Sequence, residues 1–335
     1  MRAQENDLYR VHTIAFYNVE NLFDTVKDSL VFDDDFTSDG SNHWTKERYD
    51  RKIEHLAKVM SGIGVRYRMR PPDIIGLCEI ENLKVLQDLV AHPLLRYFDY
   101  GIIHLDSPDE RGIDVAMLFN KGSFLPVSIK HHSLQLLNEE RYREYTRDQL
   151  VVHGFLDYEA IYFIINHWPS RRGGETRSRP HRIAAAELNL SIIDSIEQIK
   201  FAPKIISMGD FNDNPTDYTF KKVLRTKRKL MGLGDQELFN PMEQLFIKGE
   251  GSLAYRDRWS LFDQFYVSGN LINGNAPLQV WRAGIYNPQF LRIQQGQYTG
   301  YPLRTYAGGR YTAGYSDHFP VYIYLIKQQS LLGNN

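Results

Sequence analysis

One apolar run of the chain stops at a glycine and is followed at once by acidic and amide side chains, in Lys204-Ile-Ile-Ser-Met-Gly-Asp-Phe-Asn-Asp-Asn-Pro215. The run up to Met208 predicts a buried strand, and the glycine and proline predict a sharp exit from it. Asp210 and Asn212 are two residues apart, so they leave the strand on the same side of the pleat. An Asx-rich turn is the alternative interpretation, because Asp and Asn also favour turns for local reasons.

The same pattern recurs at four other places, and this favours a functional site over a set of turns. In each, a predicted strand has carboxylate, amide or imidazole side chains at one end, namely Asn18 to Asn21, Glu79 to Asn82, Asn166 to His167 and Asp317 to His318. Sites in α/β folds are assembled at strand ends in this way. The sequence therefore predicts a single site built from several strands.

Composition limits the classes of function. The chain has 335 residues, of which 42% are hydrophobic, with 40 Lys and Arg against 41 Asp and Glu. A net charge of −1 gives no global basic field for nucleic acid, so phosphate binding must use a local patch or a metal. Cys78 is the one cysteine, which rules out an internal disulfide and predicts a small buried side chain.

The pattern along the chain predicts many strands with helices between them. Helices are expected at 47–64, 83–91, 184–199 and 218–224, and strands at 11–18, 73–78, 99–104, 113–119, 126–132, 150–157, 160–166, 204–208, 262–267, 278–282 and 319–326. Two packed mixed sheets with outer helices, a four-layer α/β/β/α sandwich, is the expected fold. We expect one domain over 12–327, a flexible lead at 1–11 and a tail at 328–335. Residues 25–46 are expected to form a solvated acidic loop, with cation binding by Asp33 to Asp35 as the alternative, and 284–314 a long functional loop.

The clustered side chains are mostly hard oxygen donors, which suit Mg²⁺, with Mn²⁺ or Ca²⁺ as alternatives. Magnesium takes one or two carboxylates and completes its shell with water and substrate phosphate. A histidine beside an aspartate can transfer protons near neutral pH, and asparagine amides can stabilise a phosphoryl oxygen. These residue types together predict metal-assisted hydrolysis of a phosphate ester.

An ordered set of motifs resembles the endonuclease/exonuclease/phosphatase superfamily, which includes deoxyribonuclease I. The motifs cover roughly 12–326 and are Tyr17-Asn-Val-Glu-Asn21, Leu77-Cys-Glu79, Arg111-Gly-Ile-Asp-Val-Ala116, Asn166-His-Trp-Pro169, Gly209-Asp-Phe-Asn212, Leu261-Phe-Asp-Gln-Phe-Tyr-Val-Ser268 and Ser316-Asp-His-Phe-Pro320. The set is specific for the fold and the catalytic centre, and less so for the substrate.

The resemblance implies a role for each matching residue. Glu79 corresponds to the principal metal ligand, with Asn18 and Asp317 at or near the metal. Asp210 corresponds to the residue that orients the nucleophile or protonates the leaving group, and Asn212 to a phosphate contact. His318 corresponds to the histidine that activates water or stabilises the phosphorane, and Asp263 to the acid that orients this histidine. His167 corresponds to a second histidine found in some branches of the family.

Several assignments stay open at the level of sequence. His167 could be a structural histidine, and Glu20 stands where several nucleases have aspartate. Arg111 and Asp114 could form a plain surface ion pair, or contact substrate and orient His167. The loop 170–174, with Arg172, could be solvated or could contact phosphate.

Three functions remain in competition. The leading one is a metal-dependent phosphodiesterase that acts on nucleic acid; a phospholipid or small-molecule phosphoesterase and a non-catalytic phosphate-binding homologue are the alternatives. No obligate protein partner is evident, and no apolar run approaches the ~20 residues of a membrane-spanning helix. The compartment is left open, since a soluble protein of this kind could be cytoplasmic or exported after loss of a signal.

Overall fold

The computed structural model describes residues 9–137, 140–273 and 276–328, and two six-stranded sheets organise that part of the chain. Their strands, labelled in chain order, are β1 (Tyr9–Leu22), β2 (Ile74–Ile80), β3 (Tyr100–His104), β4 (Asp114–Asn120), β5 (Phe124–His132), β6 (Gln149–Leu156), β7 (Glu159–His167), β8 (Ile205–Asp210), β9 (Leu238–Phe239), β10 (Asp263–Ser268), β11 (Leu278–Ile285) and β12 (Val321–Gln328).

Both sheets are mixed. The first has the order β11-β12-β1-β2-β4-β3 and the second β9-β10-β8-β7-β6-β5. Each contains one parallel pair, β1 with β2 and β7 with β8, and its other neighbours are antiparallel. The carboxyl ends of the parallel pairs therefore provide the polar strand ends that the sequence predicts at a single site.

The described helices are α1 (Lys46–Gly62), α2 (Val65–Arg68), α3 (Leu83–Ala91), α4 (Glu175–Ile199) and α5 (Glu243–Ile247). Helices α1, α3 and α4 cover the outer faces of the sheets, whereas α5 packs Leu245 and Phe246 against the core between them. Strand side chains alternate between two cores. In the first sheet Phe16 packs between the sheets while Tyr17 packs towards α1 and α3, and in the second Ile165 packs between the sheets while Ile164 packs towards α4. The expected four-layer α/β/β/α sandwich is confirmed, and Cys78 is buried in the central core.

Local caps explain two helix starts, and a third start was predicted wrongly. The Thr45 hydroxyl accepts from the Arg48 amide before α1, and the Asn82 side chain accepts from the Val85 amide before α3. The predicted helix 184–199 begins instead at Glu175 and contains Pro180. A proline inside a helix normally costs stability.

The first turns of α4 persist because their side chains are tied down. Arg179 pairs with Glu175 at 2.9 Å, and the buried Arg182 donates to Asp213 at 2.7 Å. The predicted helix at 218–224 is a π-helical turn, Thr219–Val223.

Three predictions about termini and loops also need correction. Strand β1 begins at Tyr9, which pairs with Gln328, so the described ends of the lead 1–11 and of the tail belong to the sheet; 1–8 and 329–335 lie outside the described residues. The acidic loop is not wholly solvated, because Asp33 is buried and accepts from Lys27. Within the part of the chain described, no helix is long and apolar enough to cross a membrane.

Small ribbons and single turns complete the description. The ribbons pair Leu136–Leu137 with Arg143–Glu144, Leu253–Tyr255 with Arg258–Ser260, and Tyr306–Ala307 with Arg310–Tyr311. The last ribbon lies in the predicted long loop 284–314, next to Thr305, whose amide donates to Glu20 at 2.6 Å.

Candidate active site

Asn18 joins the two sheets at the polar end of the sandwich. Its Nδ2 lies 3.3 Å from Glu79 Oε1 in the same sheet and 3.1 Å from Asp210 Oδ2 in the other. Its Oδ1 accepts from the Glu20 amide at 3.0 Å, so both ends of the side chain are fixed. The residues predicted from separate motifs therefore converge on one buried point.

Glu79 is presented by a strained strand end. Its φ is +63°, in the left-handed region that non-glycine residues rarely occupy, and the pairing of β2 shifts register beside it. Oε2 accepts from the Asn21 amide at 2.9 Å, and the side chain is 15% exposed. Asn18 and Asn21 thus both donate to the Glu79 carboxylate at the end of β2.

His318 and Asp263 form a buried pair. Nδ1 of His318 lies 2.6 Å from Asp263 Oδ2, while Asp263 Oδ1 is buried with no hydrogen-bond partner in the described part of the chain. Burial opposes charge on His318, but the carboxylate of Asp263 outweighs it and holds the pKa of the imidazole well above its ordinary value. The pair presents a protonated imidazole to the site.

Asp210 faces this pair, and its surroundings change its pKa strongly. Burial, aided by the nearby Asp263, raises the pKa of Asp210 to about 7. It accepts from the Asn212 amide at 3.0 Å and from Asn18. A carboxyl that titrates near neutral pH can take or give a proton during a reaction.

His167 stands across from the His318 pair. Its Nε2 lies 3.8 Å from Asp210 Oδ2 and 3.9 Å from Glu79 Oε1. Burial, together with the charge of Arg147 and Arg111, keeps the pKa of His167 well below its ordinary value. Nδ1 is buried without a hydrogen-bond partner among the described residues, so nothing there fixes the tautomer.

Asn212 is held by the carbonyl of Trp168. Its Nδ2 donates to Trp168 O at 3.0 Å, and its φ is +51°. The backbone carbonyl of Asn212 accepts from Arg171 Nε at 2.8 Å. The second N–H of the amide is left for another acceptor.

A cation network that sequence reasoning missed surrounds Asp317. Arg304 donates to Asp317 Oδ2 at 3.0 Å and to Glu20 Oε1 at 3.1 Å, and the amide of Thr305 donates to Glu20 Oε2 at 2.6 Å. The buried Lys52 lies 4.0 Å from Glu20 and donates to the carbonyl of Tyr315 at 2.7 Å. The long loop 284–314 thus supplies a charged residue to the site, which its length alone did not identify.

The donor set fits a divalent cation. Five acidic side chains meet here, and Lys52, Arg304 and a protonated His318 are the cations in contact with them. The five are Glu20, Glu79, Asp210, Asp263 and Asp317. Burial and the charge of Asp317 raise the pKa of Glu20, as expected where carboxylates crowd together. A dication would relieve this repulsion.

Ligand-type atoms of Asp210, Asp263 and His318 also lie within 4.8 Å of one another. This trio suits proton transfer better than metal binding, because His318 Nδ1 is already committed to Asp263. Glu79, with Asn18 and Asp317, stays the predicted metal set.

The motif around Arg111 was partly misinterpreted. Asp114 accepts from His104 at 2.9 Å and from the Ser107 amide at 2.8 Å, so it does not orient His167. Arg111 is half-exposed and lies 3.4 Å from Asp109, which is its ion-pair partner in place of Asp114.

The basic residues beside His167 divide into two kinds. Buried Arg147, which was not predicted, pairs with Asp109 and donates to Trp168 O at 2.8 Å, so it supports the backbone next to His167. Arg171 contacts Asn212, whereas Arg172 is exposed beside it, and its predicted phosphate contact stays a prediction.

Solved structures share the fold over nearly the whole chain. An endonuclease/exonuclease/phosphatase family protein from Bacteroides thetaiotaomicron is 18% identical, with 96% of this chain and 100% of that one covered and a TM-score of 0.55. A mannosyl-6-phosphatase from the same organism is 18% identical over 94% and 99%, with a TM-score of 0.53. D. rerio TDP2 complexed with a single-strand DNA product is 13% identical over 94% and 98%, with a TM-score of 0.54.

The sequence comparisons agree with this. No curated protein matches the chain significantly. The endonuclease/exonuclease/phosphatase family matches residues 13–327, nearly the whole length. The chain therefore belongs to the endonuclease/exonuclease/phosphatase family, whose members are metal-dependent hydrolases of phosphoester bonds.

Proposed function

We propose that this hydrolase is a Mg²⁺-dependent phosphodiesterase that cleaves nucleic acid by in-line attack of water. The observation that carries the proposal is the Asp263–His318 pair, 2.6 Å apart, facing Asp210 beside Glu79. It combines a charged hydrogen-bond donor, a carboxyl that titrates near neutrality and a set of oxygen ligands at one end of the sandwich.

Glu79, Asn18 and Asp317 would hold the cation, which supplies positive charge to a phosphoryl oxygen when bound. Asp210 takes the proton of the attacking water, since the pKa of its carboxyl is near 7. The imidazolium of His318 donates from Nε2 to a non-bridging oxygen as charge develops there, and Asp263 keeps it protonated and oriented. Asn212 adds a second donor from the other sheet.

His167, Arg111 and Arg172 would contact the substrate around this centre. His167 is neutral and faces Asp210 and Glu79, which suits a hydrogen bond to the leaving-group oxygen. Arg111 and Arg172 lie on the surface nearby, where cations would hold flanking phosphates.

A nucleic-acid substrate is supported by the likeness to TDP2 in complex with single-strand DNA, which shares the fold. A second candidate is a small phosphoester, favoured by the likeness to a mannosyl-6-phosphatase and by the net charge of −1. The same residues would serve either substrate, so the substrate panel must separate them.

The test is a panel of plasmid DNA, single-stranded DNA, RNA, bis-p-nitrophenyl phosphate, sugar phosphates and phospholipid vesicles, each with Mg²⁺ or EDTA. We expect Mg²⁺-dependent cleavage of DNA or RNA by the wild type and its loss in His318→Ala. His181→Ala, which removes a partly exposed imidazole of α4 whose carboxylate neighbour Glu144 is 3.9 Å away, is the matched control. Turnover of sugar phosphates or lipid alone would support the second candidate, and no turnover with any divalent metal would refute both.

A further inference from the structure

The end of the sandwich opposite the active site contains a second cleft, here called the distal cleft. Its volume is about 700 Å³, and its lining includes Arg10, His12, Arg70, Lys121 and Tyr158. Six residues of strand β1 separate His12 from Asn18, which places the two sites roughly 20 Å apart at ~3.3 Å per residue. The distal cleft is therefore separate from the catalytic centre.

Cations outnumber carboxylates around the distal cleft, four against three, when Asp73 and Asp99, which pair with these cations without lining the cleft, are counted with Asp157. Four permanent cations line it, Arg10, Arg68, Arg70 and Lys121, against one lining carboxylate, Asp157. A cleft of this kind attracts anions.

A buried carboxylate fixes two of these guanidinium groups. Asp73 accepts from Arg68, from Arg70 at 2.8 Å, from Ser123 at 2.5 Å and from the Thr13 amide at 3.0 Å. Four donors leave this carboxylate nearly saturated. The arginines are held in place by it, yet each uses only part of its five N–H groups.

The other two cations are also anchored with donors to spare. Arg10 donates to Asp157 Oδ1 at 2.7 Å through one nitrogen, and Lys121 donates to Asp99 at 2.8 Å. Preorganised guanidinium groups with free N–H donors are suited to phosphate, which they bind in a bidentate manner.

A buried histidine lines the same cleft. His12 is 2% exposed, and its Nδ1 lies 3.4 Å from Asp73 Oδ2 without making a hydrogen bond. Its Nε2 lies 3.4 Å from Asp157 Oδ2. His12 therefore lies between two carboxylates, and the groups of the cleft that can bind an anion are its arginines and its lysine.

Aromatic surface borders the cations. Phe155 is 40% exposed and Tyr158 is 90% exposed, both at the hairpin between β6 and β7. Large exposed rings beside a phosphate-binding group can stack on a planar base.

From these features we propose that the distal cleft binds a phosphomonoester dianion. A nucleoside monophosphate is the class of ligand that fits, because its base can also contact the aromatic side chains Phe155 and Tyr158. The phosphate would lie among Arg10, Arg70 and Lys121, and the base against Phe155 or Tyr158. This proposal does not rest on the proposed function, because none of these residues belongs to the catalytic site.

The test is calorimetric titration of the full chain with AMP, inorganic phosphate and adenosine, in EDTA so that no metal-held phosphate forms at the catalytic centre. We expect AMP to bind and adenosine not to bind. Lys121→Glu and Arg10→Glu, which change half-exposed side chains, should each weaken AMP at least about tenfold, since a charge-assisted hydrogen bond contributes more than the 1.4 kcal/mol of a tenfold change.

Controls separate this site from general charge effects and from the active centre. Arg228→Glu changes an exposed cation elsewhere and should leave binding unchanged, as should His318→Ala. Phosphate that binds as tightly as AMP supports the anion site and removes the role of the rings. Three results would overturn the proposal: adenosine that binds as tightly as AMP, AMP that does not bind at about 10 mM, or cleft variants that both bind AMP with the wild-type affinity.

Discussion

Both ends of the sandwich bury an aspartate beside a histidine, but the two aspartates are satisfied very differently. At the distal end Asp73 accepts from two arginines, a serine and a backbone amide. At the catalytic end Asp263 holds His318 through one oxygen, and its other oxygen is buried without a partner in the described part of the chain.

The difference shows which end is shaped for stability and which for chemistry. A carboxylate with all its donors supplied strengthens the fold, whereas an unsatisfied buried one is kept at a cost that function explains. Carboxylates exceed cations at the catalytic end and cations exceed carboxylates at the distal end. The first fits a bound dication, and the second a bound anion.

The largest expected effect is at Asp210. Asp210→Asn preserves the shape of the side chain and removes the proton acceptor, so kcat on bis-p-nitrophenyl phosphate should fall by about 10²–10⁴. Asp73→Asn, the same change at the distal end, should leave kcat within about twofold, since it lies roughly 20 Å away. Equal losses in the two variants would break the distinction between the ends.

Stability should respond in the reverse order. Asp73→Ala leaves Arg68 and Arg70 without their shared partner, and we expect the free energy of unfolding to fall by about 3 kcal/mol, the lower part of the range for broken buried pairs because Arg70 is partly exposed. Asp263→Asn should cost less, because His318 can lose its proton. Urea unfolding of both variants measures the difference, and a larger loss in Asp263→Asn would contradict it.

The metal-free catalytic end should weaken the fold as pH rises. The pKa of Asp210 is raised to about 7 in the folded chain, so its contribution is fully present below its unfolded pKa near 3.8 and is lost as pH rises through 7. In EDTA at pH 8 the Asp210→Asn variant should therefore melt above the wild type, by about 2 °C. The difference in melting temperature, Asp210→Asn minus wild type, should be more positive at pH 8 than at pH 5. A more negative difference at pH 8 would show that the ionised carboxylate stabilises the site.

The smallest expected effect concerns Arg304. Arg304→Ala removes a cation that Asp317 and Glu20 share, so Mg²⁺ or Mn²⁺ should bind several-fold more tightly, in keeping with about 1 kcal/mol for charges near 4 Å in water. Arg310→Ala, an exposed arginine of the same loop, is the control. Weaker metal binding in Arg304→Ala alone would show that Arg304 positions the ligands instead.

The site residues that lie in short sequence motifs, and the sandwich fold, could be predicted from the sequence. The ends of strands β1, β2, β7 and β8 carry Asn18, Glu79, His167 and Asp210, and their residue types predicted one site because parallel strands bring such ends together. The same reasoning predicted the sandwich from the periodic pattern of its longer strands, whereas the two-residue strand β9 was not predicted.

Contacts between distant segments were the unpredictable part. Arg304 reaches Glu20 from 284 residues away in the chain, and nothing near Arg304 in sequence marks that partner. Asp114 was misjudged for the same reason, because its partner His104 is known only once β3 and β4 pair. The start of α4 was predicted too late in the chain, since the buried Arg182–Asp213 pair that supports the turns around Pro180 is a tertiary contact.

The most direct test of the central claim is the Mg²⁺ dependence of bis-p-nitrophenyl phosphate hydrolysis by wild type and Glu79→Gln. Glu79 is the partly exposed carboxylate at the strained end of β2. We predict no wild-type turnover in EDTA, recovery with Mg²⁺, and a half-saturating Mg²⁺ concentration at least about tenfold higher in Glu79→Gln. Turnover that resists EDTA, or a Glu79→Gln profile that overlays the wild type, would contradict the account.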